Sequence, residues 1–180
     1  MSLASSTTNM IEVVIRREHC CHEIFTACFL PNKIMIPVLC INDSSITLFV
    51  QKRLLLQSGI TDNVITACDG QEGLDYYSRL RETENNDYPR LILLDIHMPR
   101  VDGWQFLDKF SELYLPFFKD TRVIINSFTV DENEINKAKN YPIIMDFVTS
   151  QLTTDYLKNL DLRQTGIRIG ASQKPEDILS

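Results

Sequence analysis

The sequence predicts an α/β protein: a mainly parallel, doubly wound sheet of five strands with helices on both faces. Three observations carry the prediction. Between residues 35 and 161, short apolar runs of strand length alternate with stretches of helical spacing, five of each. The clearest runs are continuously apolar rather than alternating, as strands buried on both faces are. Polar and acidic residues follow the runs directly, and the carboxyl ends of its strands are where such a sheet binds ligands.

The elements follow in order. Ile36-Pro37-Val38-Leu39-Cys40-Ile41 reads as the first strand, broken by Asn42-Asp43-Ser44. Residues 45–58 have helical spacing, with Ile46, Phe49, Val50 and Leu54 as the expected buried face and Gly59 as the stop. Val64 to Cys68 is the second strand, and Gly70 to Arg81 the second helix, buried through Leu74, Tyr77 and Leu80. The charged stretch Glu82 to Arg90 is a surface loop. Leu91 to Leu94 is the third strand and runs straight into Asp95. Pro99 and Gly103 mark a loop, and Trp104, Phe106, Leu107 and Phe110 a third helix that Pro116 ends or kinks. Arg122 to Asn126 and Ile143 to Val148 are the last strands, followed by helices over Asp131 to Asn140 and Thr153 to Leu160.

This zone is flanked by a Ser/Thr-opening extension, residues 1–34, and a polar tail, residues 162–180. A net charge of -6 argues against a cationic nucleic-acid-binding surface. No apolar run reaches the roughly 18 residues that a membrane span needs, so no membrane is expected. The five cysteines are irregularly spaced, and Cys40 and Cys68 fall in apolar runs as small hydrophobes. A reducing, cytoplasmic compartment is expected. His19-Cys20-Cys21-His22 lacks the ligand spacing of a zinc site.

The strand ends carry the chemistry. Asn42 and Asp43 close the first strand, Asp95 the third, Asn126 and Ser127 the fourth, and Thr149 and Ser150 follow the fifth. Two carboxylates in one shallow site repel each other unless a cation or shared proton relieves them. Mg2+ fits, since it binds through one or two carboxylates and keeps several waters. A carboxylate is also a nucleophile towards phosphorus, and phosphoryl transfer is mostly positioning and charge neutralisation. Asp95 is the better nucleophile, Asp43 the metal ligand, and Ser127 a donor to a phosphate oxygen. Taken singly, each residue has a plainer reading: Asp43 or Asp102 as a helix cap, Ser127 as a bland serine, Phe147 as a core aromatic. Joint placement at strand ends favours chemistry.

Leu91-Ile92-Leu93-Leu94-Asp95-Ile96-His97-Met98-Pro99-Arg100-Val101-Asp102-Gly103-Trp104 resembles the phosphorylation signature of bacterial response-regulator receiver domains. Asn42-Asp43 resembles the family's acidic pair, and Asp69 to Leu74 its second-helix start. The resemblance covers most of residues 35–161. It implies a flavodoxin-like fold with strand order 2-1-3-4-5. It implies Asp95 as phosphoacceptor from a sensor histidine kinase or phosphotransfer protein. Mg2+ would be held by Asp43, Asp95 and the backbone carbonyl of His97, with Asn42 acting through a water. Ser127 falls at the switch hydroxyl and Phe147 at the switch aromatic. The product is a phosphoprotein of a two-component system or phosphorelay, not an enzyme beyond its own phosphorylation and dephosphorylation.

Two positions depart from the pattern. Asn42 replaces an acid and removes a negative charge. Ser150 stands where the family has a lysine, and a charge-assisted contact to phosphate is roughly twice as strong as a neutral one; Lys119 and Lys52 are candidates to compensate. The leading expectation is a single-domain regulator that acts on a downstream protein target, because the tail after Leu160 has no room for a DNA-binding helix-turn-helix. The alternative is a degenerate receiver serving as a phosphorylation-independent adaptor. A doubly wound enzyme or flavin carrier is weakest: no glycine-rich phosphate loop, nucleophile elbow or dinucleotide fingerprint is present.

Overall fold

Five all-parallel strands form one sheet in the order β2-β1-β3-β4-β5, in a computed structural model that describes residues 36–83, 87–128 and 131–161. The strands are β1 Val38–Ile41, β2 Val64–Ala67, β3 Leu91–Leu94, β4 Arg122–Asn126 and β5 Ile144–Val148. Alternating with them are α1 Ser45–Ser58, α2 Gly70–Glu82, α3 Gly103–Leu113, α4 Glu132–Ala138 and α5 Thr154–Lys158. The extension and tail, with the histidine–cysteine cluster, lie outside the described residues.

Every side chain of β1 and β3 is buried, so these interior strands serve two cores. Leu39, Ile41, Ile92, Leu94, Val123 and Ile125 face α2, α3 and α4, where Tyr77, Phe106 and Phe110 form the aromatic centre. Val38, Cys40, Leu91, Leu93 and Ile124 face α1 and α5 through Leu48, Leu55 and Leu157. Alternate residues of one strand thus feed opposite layers, as the period of two requires. Burial pushes the Cys40 thiol up to about 12, which makes it an inert core group.

The helices start where capping chemistry allows. Ser44, Asp69, Asp102, Asp131 and Thr153 each accept a backbone N–H of the first turn. Asp102 and Gln105 complete a capping box. Gly59 ends α1 at φ 69°, a left-handed conformation that glycine adopts without strain.

Three expectations need correction. The buried face of α1 is Leu48, Gln51, Leu55 and Ser58, whereas Ile46 and Phe49 are 76% and 66% exposed. This helix is apolar around most of its girth, so spacing alone could not select the inward face. Cys68 is exposed beyond the end of β2, so of the two described cysteines only Cys40 behaves as a core hydrophobe. β1 begins at Val38, because Pro37 lacks the N–H that a ladder needs. Among the described residues no helix is long and apolar enough to cross a membrane.

Candidate functional site

Ladder register assembles the site. Ile41 pairs with Leu94, and Asp95 N–H donates to the Ile41 carbonyl at 2.9 Å, so Asn42 and Asp95 leave adjacent strands side by side. Leu94 also pairs with Ile125, which brings Asn126 and Ser127 alongside on the other flank. The Ser127 N–H donates to the Val148 carbonyl and ties the end of β4 to β5. Asp43, Asp95 and Ser127 therefore converge at the carboxyl edge, around the point where strand order reverses.

Asp95 is half-buried, and both its oxygens are engaged. Oδ2 accepts from the Asn42 amide at 2.8 Å, and Oδ1 accepts from the His97 N–H at 3.2 Å. The Asn42 carbonyl oxygen accepts from the Ser44 N–H, which fixes the orientation of the amide. Burial pushes the Asp95 carboxyl above its ordinary range; the His97 and Ile96 N–H groups pull it back, and the charge of Asp43 pushes it up again. Asp43 is exposed and does not cap α1, since Ser44 takes that role.

The loop after Asp95 is pinned. Gly103 N–H donates to Ile96, and Gly70 N–H to Val101. A Cβ on Gly103 would lie 2.5 Å from the Asp95 carbonyl oxygen and 2.7 Å from Ile96 Cα, so only glycine allows α3 to start against the acceptor's own backbone. Arg100 has φ 67°, uncommon for a residue with a side chain, and its guanidinium pairs with the buried Asp69 carboxylate that caps α2.

Ser127 Oγ is buried with no partner, and Phe147 is partly buried against the core beneath α4. Ser150 is exposed, and its backbone carbonyl accepts from the Asn126 amide. Lys119 precedes β4, at the opposite end of the sheet, and neither it nor Lys52 has an ion pair or hydrogen bond to Asp95.

No group of three or more His, Cys, Asp and Glu side chains among the described residues is placed to share a metal. A hydrated Mg2+ asks for less: one or two carboxylates plus waters, which Asp43 and Asp95 supply as oxygen donors. The donor set fits.

The sequence placed Asn126 at the end of β4 but did not single out its partner Gln51, nor Glu134. Asn126 donates to the Val148 and Ser150 carbonyls and accepts from Gln51, so it braces the ends of β4 and β5. A polar residue closing an apolar run was the available signal. Glu134 on α4 lies 3.4 Å from His97 Nε2, and nothing in its spacing announces that.

A family model described as the response regulator receiver domain matches residues 38–160. The osmosensing histidine protein kinase SLN1 of Saccharomyces cerevisiae is 36% identical over 72 residues, which is 40% of this chain and 6% of that protein. A response regulator receiver protein from Dyadobacter fermentans superposes with TM-score 0.62 at 29% identity, covering 72% of this chain and 97% of that one. The CheX–CheY complex of Borrelia burgdorferi with BeF3 and Mg2+ shares the fold, with TM-score 0.55 at 23% identity over 72% of this chain and 85% of that one. With a matched span that covers the whole sheet and the candidate site, this chain belongs to the response regulator receiver domain family.

Proposed function

We propose that this chain takes a phosphoryl group on Asp95 from a phosphohistidine of a sensor histidine kinase or phosphotransfer protein, and passes the signal on through contacts with a downstream protein. The observation that carries the reading is Asp95 itself. A partly exposed carboxylate, oriented from both sides, closes the central strand beside Asp43 and next to a buried, unpartnered hydroxyl at Ser127. In the step, a carboxylate oxygen attacks phosphorus, the phosphorus–nitrogen bond breaks, and the imidazole leaves with the electron pair. Mg2+ on Asp43, Asp95 and the His97 carbonyl supplies charge neutralisation when bound. The Ser127 hydroxyl donates to a phosphoryl oxygen, and Phe147 follows its movement. The protein acts in the cytoplasm, binds no nucleic acid directly, and is not an enzyme beyond its own phosphorylation and dephosphorylation. The receiver domain spans residues 35–161, between an N-terminal extension, residues 1–34, and a C-terminal tail, residues 162–180.

The test is incubation with acetyl phosphate and Mg2+ followed by intact mass. The expected result is a gain of one phosphoryl group that is absent in Asp95→Asn. No gain in the wild type favours the second reading, a phosphorylation-independent adaptor. That reading draws on Ser150 at the lysine position and on the absence, among the described residues, of a lysine or arginine paired with Asp95.

A further inference from the structure

We propose that His97 and Glu134 form a second connection from the phosphoacceptor to α4, working beside the Ser127 hydroxyl. The inference rests on reading Asp95 as the phosphoacceptor. His97 touches the acceptor carboxylate with its backbone N–H, at 3.2 Å from Oδ1, and α4 with its side chain, at 3.4 Å from Glu134 Oε1. The imidazole is 53% exposed, whereas the Glu134 side chain is 15% exposed and its second oxygen is buried with no partner. A bare carboxylate oxygen in the interior is unfavourable, so the seat of Glu134 depends on its contact with His97. Ser127 Oγ has the same shortfall. Ser127, directly after β4, and Glu134, within α4, therefore each hold an unmet polar atom. Groups so placed gain by rearranging when new partners arrive, which is the property of a two-state element.

Phosphorylation acts on the first of these contacts directly. A carboxylate oxygen bonded to phosphorus is a poorer acceptor, while the phosphoryl oxygens are new acceptors close by. The His97 N–H must adjust to the change, and its imidazole moves with it against Glu134. This route needs no motion of Ser127. It also runs backwards: a protein that engages α4 and displaces Glu134 changes the affinity of the Asp95 site for its ligand by the same factor.

The experiment uses the full chain, beryllofluoride with Mg2+ as a phosphoryl mimic, bound fluorine counted by 19F NMR, and the Ile135 methyl signal as the reporter of α4. Ser127→Ala is expected to keep part of the wild-type methyl displacement. Adding Glu134→Ala or, from the other end of the contact, His97→Ala is expected to remove the remainder, and combining both to remove nothing more. Glu134→Ala alone is expected to change the apparent beryllofluoride Kd about fivefold, at the low end of usual couplings. Unaltered methyl signals from the α2–α3 core show that each variant is folded. The relay is overturned if Ser127→Ala alone abolishes the Ile135 response, or if neither second substitution alters what is left. A wild type that binds no beryllofluoride overturns the phosphoacceptor reading, and the relay with it.

Discussion

At the scale of single residues, Asp95 is held in tension. Its carboxyl is raised by burial and by Asp43, so the folded state holds its proton more readily than the unfolded chain does. The sign follows: stability falls as pH rises from the ordinary carboxylate range through the raised value, and the loss persists at neutral pH. Asp95→Asn removes this term. In the absence of metal it is expected to raise the thermal midpoint at pH 7 by roughly 1–3 °C, a small effect because solvent screens a partly exposed carboxyl. The gain should vanish below the ordinary carboxylate range; a gain that persists there in a melting series locates the cause elsewhere. Gly103 works in the opposite direction. Gly103→Ala drives a methyl into the Asp95 and Ile96 backbone, which cannot retreat as a side-chain tip can. The expected loss in urea unfolding is about 1–3 kcal/mol. Asp95, Asp43 and Ser127 were legible because the sequence places them at the ends of separate apolar runs. Glu134 and Gln51 were not, since their importance lies in contacts between distant segments, His97 with α4 and α1 with β4.

At the scale of elements, α1 shows why periodicity misled. Its inward face contains Gln51 and Ser58, and its outward face contains Ile46, Phe49 and Leu56. Polarity was a poor guide because Gln51 Nε2 reaches Asn126 and Ser58 Oγ donates to the Leu55 carbonyl, so both polar groups are accommodated inside. A direct comparison separates the faces. Leu55→Ala is expected to cost about 2–5 kcal/mol, whereas Phe49→Ser should alter stability by no more than about 0.5 kcal/mol. Equal losses by chemical denaturation would reverse the assignment. The turn before β3 offers a second comparison. Tyr77 Oη and Thr121 Oγ1 both donate to the Pro89 carbonyl. Tyr77→Phe leaves that carbonyl one donor and is expected to cost about 1 kcal/mol. Adding Thr121→Val orphans it, so the double variant should lose more than the two singles summed. Tyr77 was read correctly as core because it lies on the helical stripe with Leu74 and Leu80; its hydrogen bond to a distant turn was beyond spacing.

At the scale of the molecule, topology and charge meet in one property, coupling between metal and stability. The order 2-1-3-4-5 sets β1 beside β3, and this adjacency alone brings Asn42 and Asp43 to Asp95. A cation held there binds only the folded state, so it must stabilise the fold by mass action. At about ten times its dissociation constant, Mg2+ is expected to add about 1.4 kcal/mol, and the thermal midpoint should rise by about 3–6 °C. Asp43→Asn should abolish the rise. Asn42→Asp should act in two opposed ways. Without metal it replaces the amide that donates to Asp95 Oδ2 with a third negative charge, which lowers stability and raises the Asp95 carboxyl further. With metal it adds a ligand charge and tightens binding. The Mg2+-induced rise should therefore be larger in Asn42→Asp than in the wild type, from a lower starting midpoint. Melting curves across a Mg2+ series at constant ionic strength measure both effects. A rise of the same size in Asp43→Asn would mean that the ion stabilises some other part of the protein.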